Sequence, residues 1–501
     1  MIREGKEEGW LQLPSEALPP WAALNNIKLH DIKVGVDPVH PERGAGIFAQ
    51  KPLSCPSDSH TTLMTVPRDL ILSKERIEQH AKVDRDFRDL LSTLGEFGQN
   101  PRTLIPLFLL TQSYLLHPSP PSPHFTHTPL TTYLRLLPLP PLPTLWPPTL
   151  LPLLRGTTLL PALRAKLTSL NRDFTTLQTL SALLPWTTDL FSDADGLFTF
   201  PDWIAVDGMY RSRALEFPGV GPCMAPGIDM ANHCGGEGTK AIYEVDGAGD
   251  GVLLLRAGKE VGGGEEVTIT YGDGKGACEM VFSYGFLEEG RESAGELFLD
   301  LGTGEDPLGE AKRAVAGVAP GVKIVDCLGE EGVRWEGEWV WLVVVNEEDG
   351  LEFMVQRTVE GEEELRGFWK GEEIKGAVEL KGRLEGDERW DLWRLRAVSV
   401  LQGRVEEQLA ELYGCEDEVN GMDYGEGTDI PEDVRNMAMK LRELEGNLLE
   451  KAYAFFEEEK EKLAVSEVVT KYLAAMNTGD DTAAKAAEAQ QDATDEDEDF
   501  S

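Results

Sequence analysis

The chain has 501 residues, which is long for one hydrophobic core and predicts two or three domains. Its formal net charge is −41, and this charge is uneven: about −10 over residues 1–290 and about −31 over residues 291–501. Because phosphate binding depends on Lys and Arg, the acidity argues against direct binding to nucleic acid and favours a basic protein partner.

The six cysteines form no Cys-x-x-Cys pair, which indicates reduced thiols in a cytoplasmic or nuclear protein and predicts no zinc or other metal site. The N-terminus lacks the apolar stretch of a secretory signal. The most apolar run, Leu104 to Leu116, is too short to span a bilayer. We therefore expect a protein that does not bind a membrane.

Residues 20–72 predict short strands with glycine turns, ending in the alternating segment TTLMTVPRDLILS. Within them, HPERGAGIFAQKPL carries Gly44 and Gly46, and glycine allows a backbone to approach a ligand closely. Taken alone, a Gly-x-Gly pair indicates an ordinary turn. It is not the dinucleotide-binding fingerprint, because the third glycine is missing.

The stretch from Phe97 to Arg172 contains no acidic residue, and prolines cluster from Pro118 to Pro148. This composition predicts a surface insertion without regular structure until LRAKLTSLNRDFTTLQTL resumes helical spacing. An alternative is that this positively charged stretch docks against the acidic C-terminal half.

Between Trp203 and Phe286 the pattern predicts strands, including TKAIYEVD and GVLLLRAG on either side of a glycine-rich turn. In VTITY, alternate residues ending at Tyr271 share one face of a strand. The segment after it predicts a helix that ends at Gly285.

The C-terminal half differs in composition. Tryptophans from Trp335 to Trp393 lie among short glycine-bounded segments, which predicts further strands. From Pro431 onward, apolar residues at helical spacing predict a long amphipathic helix that begins near Asp429. The small, polar and acidic tail at 477–501 predicts disorder.

Three segments in order resemble the SET-domain protein methyltransferases: HPERGAGIFAQKPL, GIDMANHC and EEVTITYGDGKGACEMVFSYGF. Further along, KLRELEGNLLEKA resembles the C-terminal domain of the plant Rubisco large-subunit and ribosomal-protein lysine methyltransferases. The resemblance covers about residues 20 to 473. The loop GDGKGAC departs from it, because the family usually has a Lys/Arg-Ser-Asn stretch there.

The resemblance implies an α+β fold. A β-rich SET domain at 20–290 would contain a knot-like crossing near its C-terminal end and a helical insertion at about 75–200. A mainly helical substrate-recognition domain would follow at 291–476, then the acidic tail at 477–501.

The implied activity is S-adenosylmethionine-dependent N-methylation of lysine in non-histone proteins, with ribosomal proteins foremost. Two alternatives stay open: histidine methylation of actin, which one branch of the group performs, and a catalytically silent SET-fold module that binds proteins. The tyrosine in SYGF favours lysine. We expect a monomer.

The implied site residues fall into two sets, each of which has a plainer interpretation. For the cofactor, the resemblance implies contacts from Arg43, Gly44, Ala45, Gly46, Arg213, Asn232, His233 and Tyr271. Among these, Arg213 would pair with the cofactor carboxylate. For catalysis it implies Tyr271 beside the transferred methyl group, with Tyr284 and Tyr243 as walls of the lysine channel. Without the resemblance, the same residues indicate a turn, a surface arginine and core aromatics.

Overall fold

The computed structural model describes residues 1–37, 39–40, 43–118, 124–192, 196–304, 306–327, 332–357, 363–422 and 430–475. Within these ranges no helix is long and apolar enough to cross a bilayer. The predicted tail at 477–501 lies outside the described residues, so its disorder stays a prediction.

The chain divides into two compact units. The first comprises Met1–Leu151, Leu159–Lys275 and Glu279–Gly290. The second comprises Pro152–Thr158, Gly276–Cys278 and the chain from Arg291 onward.

The first unit contains ten short strands: β1 (Lys28–Leu29), β2 (Ile32–Val36), β3 (Ala45–Ala49), β4 (Leu53–Ser54), β5 (Thr61–Val66), β6 (Leu215–Phe217), β7 (Gly221–Cys223), β8 (Ala241–Val245), β9 (Gly251–Leu255) and β10 (Glu260–Val261). Four of them form an antiparallel sheet in the order β1-β5-β9-β8, and the others pair as β2-β3, β4-β10 and β6-β7. The strands predicted in TTLMTVP, TKAIYEVD and GVLLLRAG are thus confirmed as β5, β8 and β9.

The helices of the first unit are α1 (Ile2–Glu7), α2 (Leu18–Leu24), α3 (Lys74–Val83), α4 (Arg85–Gln99), α5 (Pro101–Tyr114), α6 (Pro129–Leu136), α7 (Leu159–Ser181), α8 (Thr188–Phe191), α9 (Phe200–Arg211) and α10 (Ala277–Tyr284). Helix α9 corrects the prediction that strands resume at Trp203. Helix α10 ends before Gly285, as predicted.

The proline-rich stretch is largely buried at 124–148, and there the prediction of an irregular surface insertion is wrong; residues 119–123 lie outside the described residues. Prolines begin helices α5 and α6, where a missing backbone N–H costs nothing. The leucines between the prolines are buried, including Leu134, Leu142 and Leu153. Burial of these leucines outweighs the turn-forming tendency of their neighbours.

The second unit contains two three-stranded antiparallel sheets. The first is β11 (Glu296–Asp300), β12 (Gly321–Cys327) and β13 (Gly332–Glu336), and the second is β14 (Leu351–Arg357), β15 (Glu363–Trp369) and β16 (Glu372–Ile374). Its helices are α11 (Gly309–Val315), α12 (Trp339–Val344), α13 (Ala377–Glu385), α14 (Trp390–Gly414), α15 (Glu416–Asn420) and α16 (Glu432–Ala464).

Two predictions for this unit have different outcomes. The long amphipathic helix is confirmed as α16, which packs against α14. The strand prediction is wrong where Trp339, Trp341, Trp390 and Trp393 lie in helices α12 and α14. Trp339, Trp341 and Trp393 are buried, and burial of their rings outweighs β propensity. The segment Pro152–Thr158 of the acid-free stretch belongs to this unit.

The segment Glu265–Tyr271 is extended, but it belongs to no regular sheet, which corrects the predicted strand VTITY. At one end it pairs with β3: the Val267 amide donates to the Ile47 carbonyl at 2.7 Å. At the other end it pairs with the Asn-His turn: the Ile269 amide donates to the Asn232 carbonyl at 3.0 Å. The segment therefore crosses between two parts of the chain that lie far apart in sequence.

Candidate active site

The glycine pair lies beside the crossing segment. Gly44 has φ +74°, which favours glycine, and Gly46 is in β3. A Cβ on Gly46 would lie 2.2 Å from Glu266 Oε1 and 2.9 Å from Asn232 Nδ2. A larger residue at position 46 would require these two side chains to move.

The side chain of His233 holds the crossing together. Its Nδ1 accepts a hydrogen bond from the Tyr271 amide at 3.0 Å, and its Nε2 lies 2.8 Å from Glu288 Oε1. Because Nδ1 is the acceptor, Nε2 carries the proton and donates to Glu288. The imidazole is thus fixed in one tautomer and is 1% exposed, which leaves the backbone of His233 for ligand contacts.

Tyr271 stands where the segment ends. Its hydroxyl donates to the Ala231 carbonyl at 2.9 Å, and its ring stacks on His233 with centroids 5.2 Å apart. Burial raises the pKa of the Tyr271 phenol above its usual value, so the group stays neutral at physiological pH. It can orient a reacting group, but it cannot act as a phenolate base.

Two further tyrosines stand close to Tyr271. Tyr284 is the last residue of α10, and its ring centroid is 4.6 Å from that of Tyr271. Tyr243 lies in β8 and packs edge-on against Phe217 at 5.2 Å. Burial raises the pKa of Tyr284 to about 12 and also raises the pKa of Tyr243.

A single cavity joins these residues. It is lined by Ser212, Arg213, Ala214, Leu215, Asp229, Ala231, Tyr243, Ile269, Thr270, Tyr271 and Tyr284. The structure therefore brings together four residues that the sequence singled out, namely Arg213 and the three tyrosines. Their catalytic and binding roles stay predictions.

Arg213 is partly buried, not a solvated surface arginine. Its Nη1 donates to the Asp229 carbonyl at 2.8 Å and contacts Met230 Sδ at 3.4 Å. Within the described residues, no carboxylate forms an ion pair with its guanidinium. A cation that lines a cavity without a protein counter-charge suits an anionic ligand group.

The other cofactor-binding candidates lie apart from this cavity lining. Arg43 pairs with Glu289 at 2.7 Å, and its side chain is largely exposed, so only its backbone suits the predicted role. Gly46 and Asn232 meet at Glu266, whose Oε1 accepts from Asn232 Nδ2 at 2.7 Å. The Asn232 carbonyl in turn accepts a hydrogen bond from the amide of Ile269, and Ile269 lines the cavity.

Sequence reasoning missed several residues of this site. Asp229 lines the cavity and accepts hydrogen bonds from the Gly227 amide at 3.0 Å and from the Tyr133 hydroxyl. Burial raises the pKa of the Asp229 carboxyl well above its usual value. An acidic residue inside the apolar run GIDMA was a usable signal for Asp229, whereas nothing near Tyr133 in sequence pointed to the site.

Metal chemistry has no support in the described parts of the chain. They hold no group of three His, Cys, Asp or Glu side chains that could bind an ion.

Comparison with known proteins identifies the fold. No protein-family model matches the chain. It is 28% identical over 441 residues to SET domain-containing protein 8 of Schizosaccharomyces pombe, covering 86% of this chain and 92% of that protein.

Solved structures of SET domains also align with this chain. The SET domain of LSMT bound to methyllysine and AdoHcy aligns with a TM-score of 0.62 at 19% identity, covering 90% of this chain and 93% of that one. Rubisco LSMT bound to AdoMet aligns with a TM-score of 0.61 at 18% identity, covering 90% and 92%. The chain therefore has the SET-domain fold, and the predicted resemblance to the Rubisco methyltransferase group is confirmed at the level of the fold.

Proposed function

We propose that this protein is an S-adenosylmethionine-dependent protein-lysine N-methyltransferase. The observation that carries the proposal is the cavity in which Tyr243, Tyr271 and Tyr284 stand together with Arg213. It is supported by the SET-domain fold and by structural neighbours bound to AdoMet, AdoHcy and methyllysine.

The residues present fit this cofactor. Arg213 offers a guanidinium that forms no ion pair with a carboxylate among the described residues, and Asn232 offers an amide beside Gly46. When bound, S-adenosylmethionine supplies an electrophilic methyl group on a sulfonium. No protein nucleophile is needed, because the substrate lysine provides the attacking nitrogen.

The residues around the cavity would orient the reactants and influence the protonation of the substrate lysine. Aromatic walls exclude water and disfavour an ammonium ion, which helps a lysine to become a neutral nucleophile. A bound lysine would lose one proton to solvent before it reacts, so that its neutral nitrogen could accept the methyl group that the cofactor supplies and carry the positive charge afterwards. Holding the two reactants in line supplies much of the barrier reduction, and the neutral Tyr271 hydroxyl fixes the geometry at the Ala231 carbonyl.

We also propose a basic non-histone substrate, with ribosomal proteins foremost, and a monomeric enzyme in the cytoplasm or nucleus. The charge of about −31 after residue 290 supports a basic partner through long-range attraction. The scattered, reduced cysteines support an intracellular location.

The test is transfer of a radiolabelled methyl group from S-adenosylmethionine to ribosomal proteins, histones and actin in parallel. We expect labelled ribosomal protein, with mass spectrometry placing the methyl group on a lysine nitrogen. Label on a histidine of actin would support the alternative activity. Absence of transfer to every substrate, with intact protein binding, would support a catalytically silent module.

A further inference from the structure

Glu266 is a polar residue at the site that neither the sequence motifs nor the proposed mechanism uses. It lies in the crossing segment, one residue before Val267, whose amide is bonded to β3. Its side chain is partly buried and fills the space left by the missing Cβ of Gly46. Its carboxylate accepts a hydrogen bond from the side-chain amide of Asn232.

A carboxylate only accepts hydrogen bonds, whereas an asparagine amide can donate at one end and accept at the other. The 2.7 Å contact between Glu266 Oε1 and Asn232 therefore requires the amide nitrogen on the Glu266 side. The carbonyl oxygen, Oδ1, is then the end of the amide that lies away from Glu266 and can accept from a donor. Without Glu266, the two orientations of the amide would differ little in energy.

We infer that Glu266 is a positioning residue, which sets the Asn232 amide so that its Oδ1 receives the α-ammonium group of the cofactor's methionine part. This rests on the proposed function. The ammonium is the donor-only group of that part of the cofactor, so an accepting oxygen suits it. Gly46 serves the same arrangement, because any side chain there would displace the Glu266 carboxylate.

Glu266 could act in three ways, and each predicts a different pattern of ligand affinities. If Glu266 acts through the amide, its effect is confined to ligands with an α-amino group and is restored by any acceptor of the same length. If Glu266 acts as a bulk charge, a neutral acceptor does not restore it. If it only holds the backbone, all ligands lose affinity alike.

The experiment is calorimetry on the full chain with two probes: S-adenosylhomocysteine, and its analogue in which hydrogen replaces the α-amino group. Glu266→Met removes the acceptor at similar length, and we expect it to weaken S-adenosylhomocysteine by about fivefold to twentyfold. It should leave the desamino analogue unchanged. Glu266→Gln keeps an acceptor and should recover affinity to within about threefold of the unmodified protein.

Glu265→Met is the matched control. Glu265 adjoins Glu266, but its carboxylate is exposed, pairs with Lys240 at 3.2 Å and accepts from the Gly262 amide at 2.8 Å. We expect no change in affinity for either probe. In steady state, Glu266→Met should raise KM for S-adenosylmethionine and leave kcat at saturation unchanged, a split that a loss of folded protein would not produce.

Three results would overturn the inference: equal loss for both probes, equal loss in Glu266→Met and Glu266→Gln, or no loss at all. In each of these the unmodified protein still binds S-adenosylhomocysteine, so the proposed function stands. An unmodified protein that fails to bind it at millimolar concentration would instead overturn the proposed function and, with it, this inference.

Discussion

The buried polar groups at the cavity of the first unit differ from two buried polar groups of the second unit. In the second unit, Lys312 is fully buried and bonded to Asp306 at 2.5 Å and to Asn346 at 3.3 Å, while Glu445 accepts from the Thr158 amide at 2.8 Å and hydroxyl at 2.7 Å. These groups form their hydrogen bonds with other protein groups. In the first unit, Arg213 and Tyr271 are bonded to backbone carbonyls and also line a cavity.

This difference separates structural from functional polarity. A buried polar group whose hydrogen bonds are all made to protein contributes to stability. A polar group beside a cavity that can still form a hydrogen bond is available to a ligand. Substitutions of Arg213 and Tyr271 should therefore change activity more than stability, and those of Lys312 and Glu445 should do the reverse.

The largest expected effect is on turnover. Tyr271→Phe keeps the ring and removes the hydroxyl that donates to the Ala231 carbonyl, so kcat on a peptide substrate should fall by roughly tenfold to a thousandfold. The thermal midpoint should move little. Tyr413→Phe is the control, because it removes a hydroxyl bonded to Glu450 at 2.6 Å in the second unit and should leave kcat unchanged. Full activity in Tyr271→Phe would make Tyr271 a structural residue.

The next effect is on cofactor affinity. Arg213→Met removes the cation that faces the cavity, and the loss of charge-assisted hydrogen bonds should weaken S-adenosylhomocysteine by about tenfold to a hundredfold. Calorimetry measures the change. Arg366→Met removes an arginine paired with Glu364 and Glu373 in the second unit and should not alter affinity. An unchanged affinity in Arg213→Met would remove Arg213 from the binding site.

The third effect is on stability and its pH dependence. Burial raises the pKa of Glu445 to about 7, so its contribution to stability is present below its usual pKa and is lost as pH rises through about 7. Between these limits the loss amounts to about 3 kcal/mol. Glu445→Gln keeps an acceptor for the Thr158 amide and should flatten this part of the stability profile.

Urea unfolding at pH 5, 6, 7 and 8 would measure that profile. Glu443→Gln, an exposed neighbour on α16 that pairs with Lys440 at 2.8 Å, is the control and should keep the slope of the unmodified protein. A slope that persists unchanged in Glu445→Gln would mean that another group titrates.

The smallest expected effect belongs to the tail at 477–501, which lies outside the described residues. We expect its deletion to leave methylation of a short peptide unchanged, since a disordered tail takes no part in a cavity of the first unit. At low salt the deletion should slow methylation of a full basic protein, because charge attraction is screened over about 8 Å at physiological ionic strength. A peptide rate that collapsed after deletion would contradict the disorder.

Sequence reasoning succeeded where a motif is local and failed where a contact joins distant segments. Asn232, His233 and Tyr271 lie in short recognisable stretches, and the fold follows from them. Asp229 and Tyr133 are 96 residues apart, so their hydrogen bond has no local signature. The same holds for Asn232 and Glu266, which are 34 residues apart.

The proline-rich stretch shows the opposite failure, in which a local signal was given too much weight. Proline density indicates irregular surface chain when the residues between prolines are polar. Here leucines such as Leu134 and Leu142 separate the prolines, and they are fully buried. Apolar content between the prolines was therefore a better guide than the prolines themselves.

The crossing segment also constrains how the chain folds. Its residues are bonded to β3, roughly 200 residues earlier in the chain, and to the Asn-His turn, so this centre depends on contacts of large sequence separation. Such contacts form late, after the loops that separate them have been closed. In a refolding experiment, protection of the Val267 and Ile269 amides from hydrogen exchange should appear after that of α7; simultaneous protection would contradict this order. The candidate active site should then become native after α7, and a nascent chain that ends before Tyr271 lacks one of the residues that line its cavity.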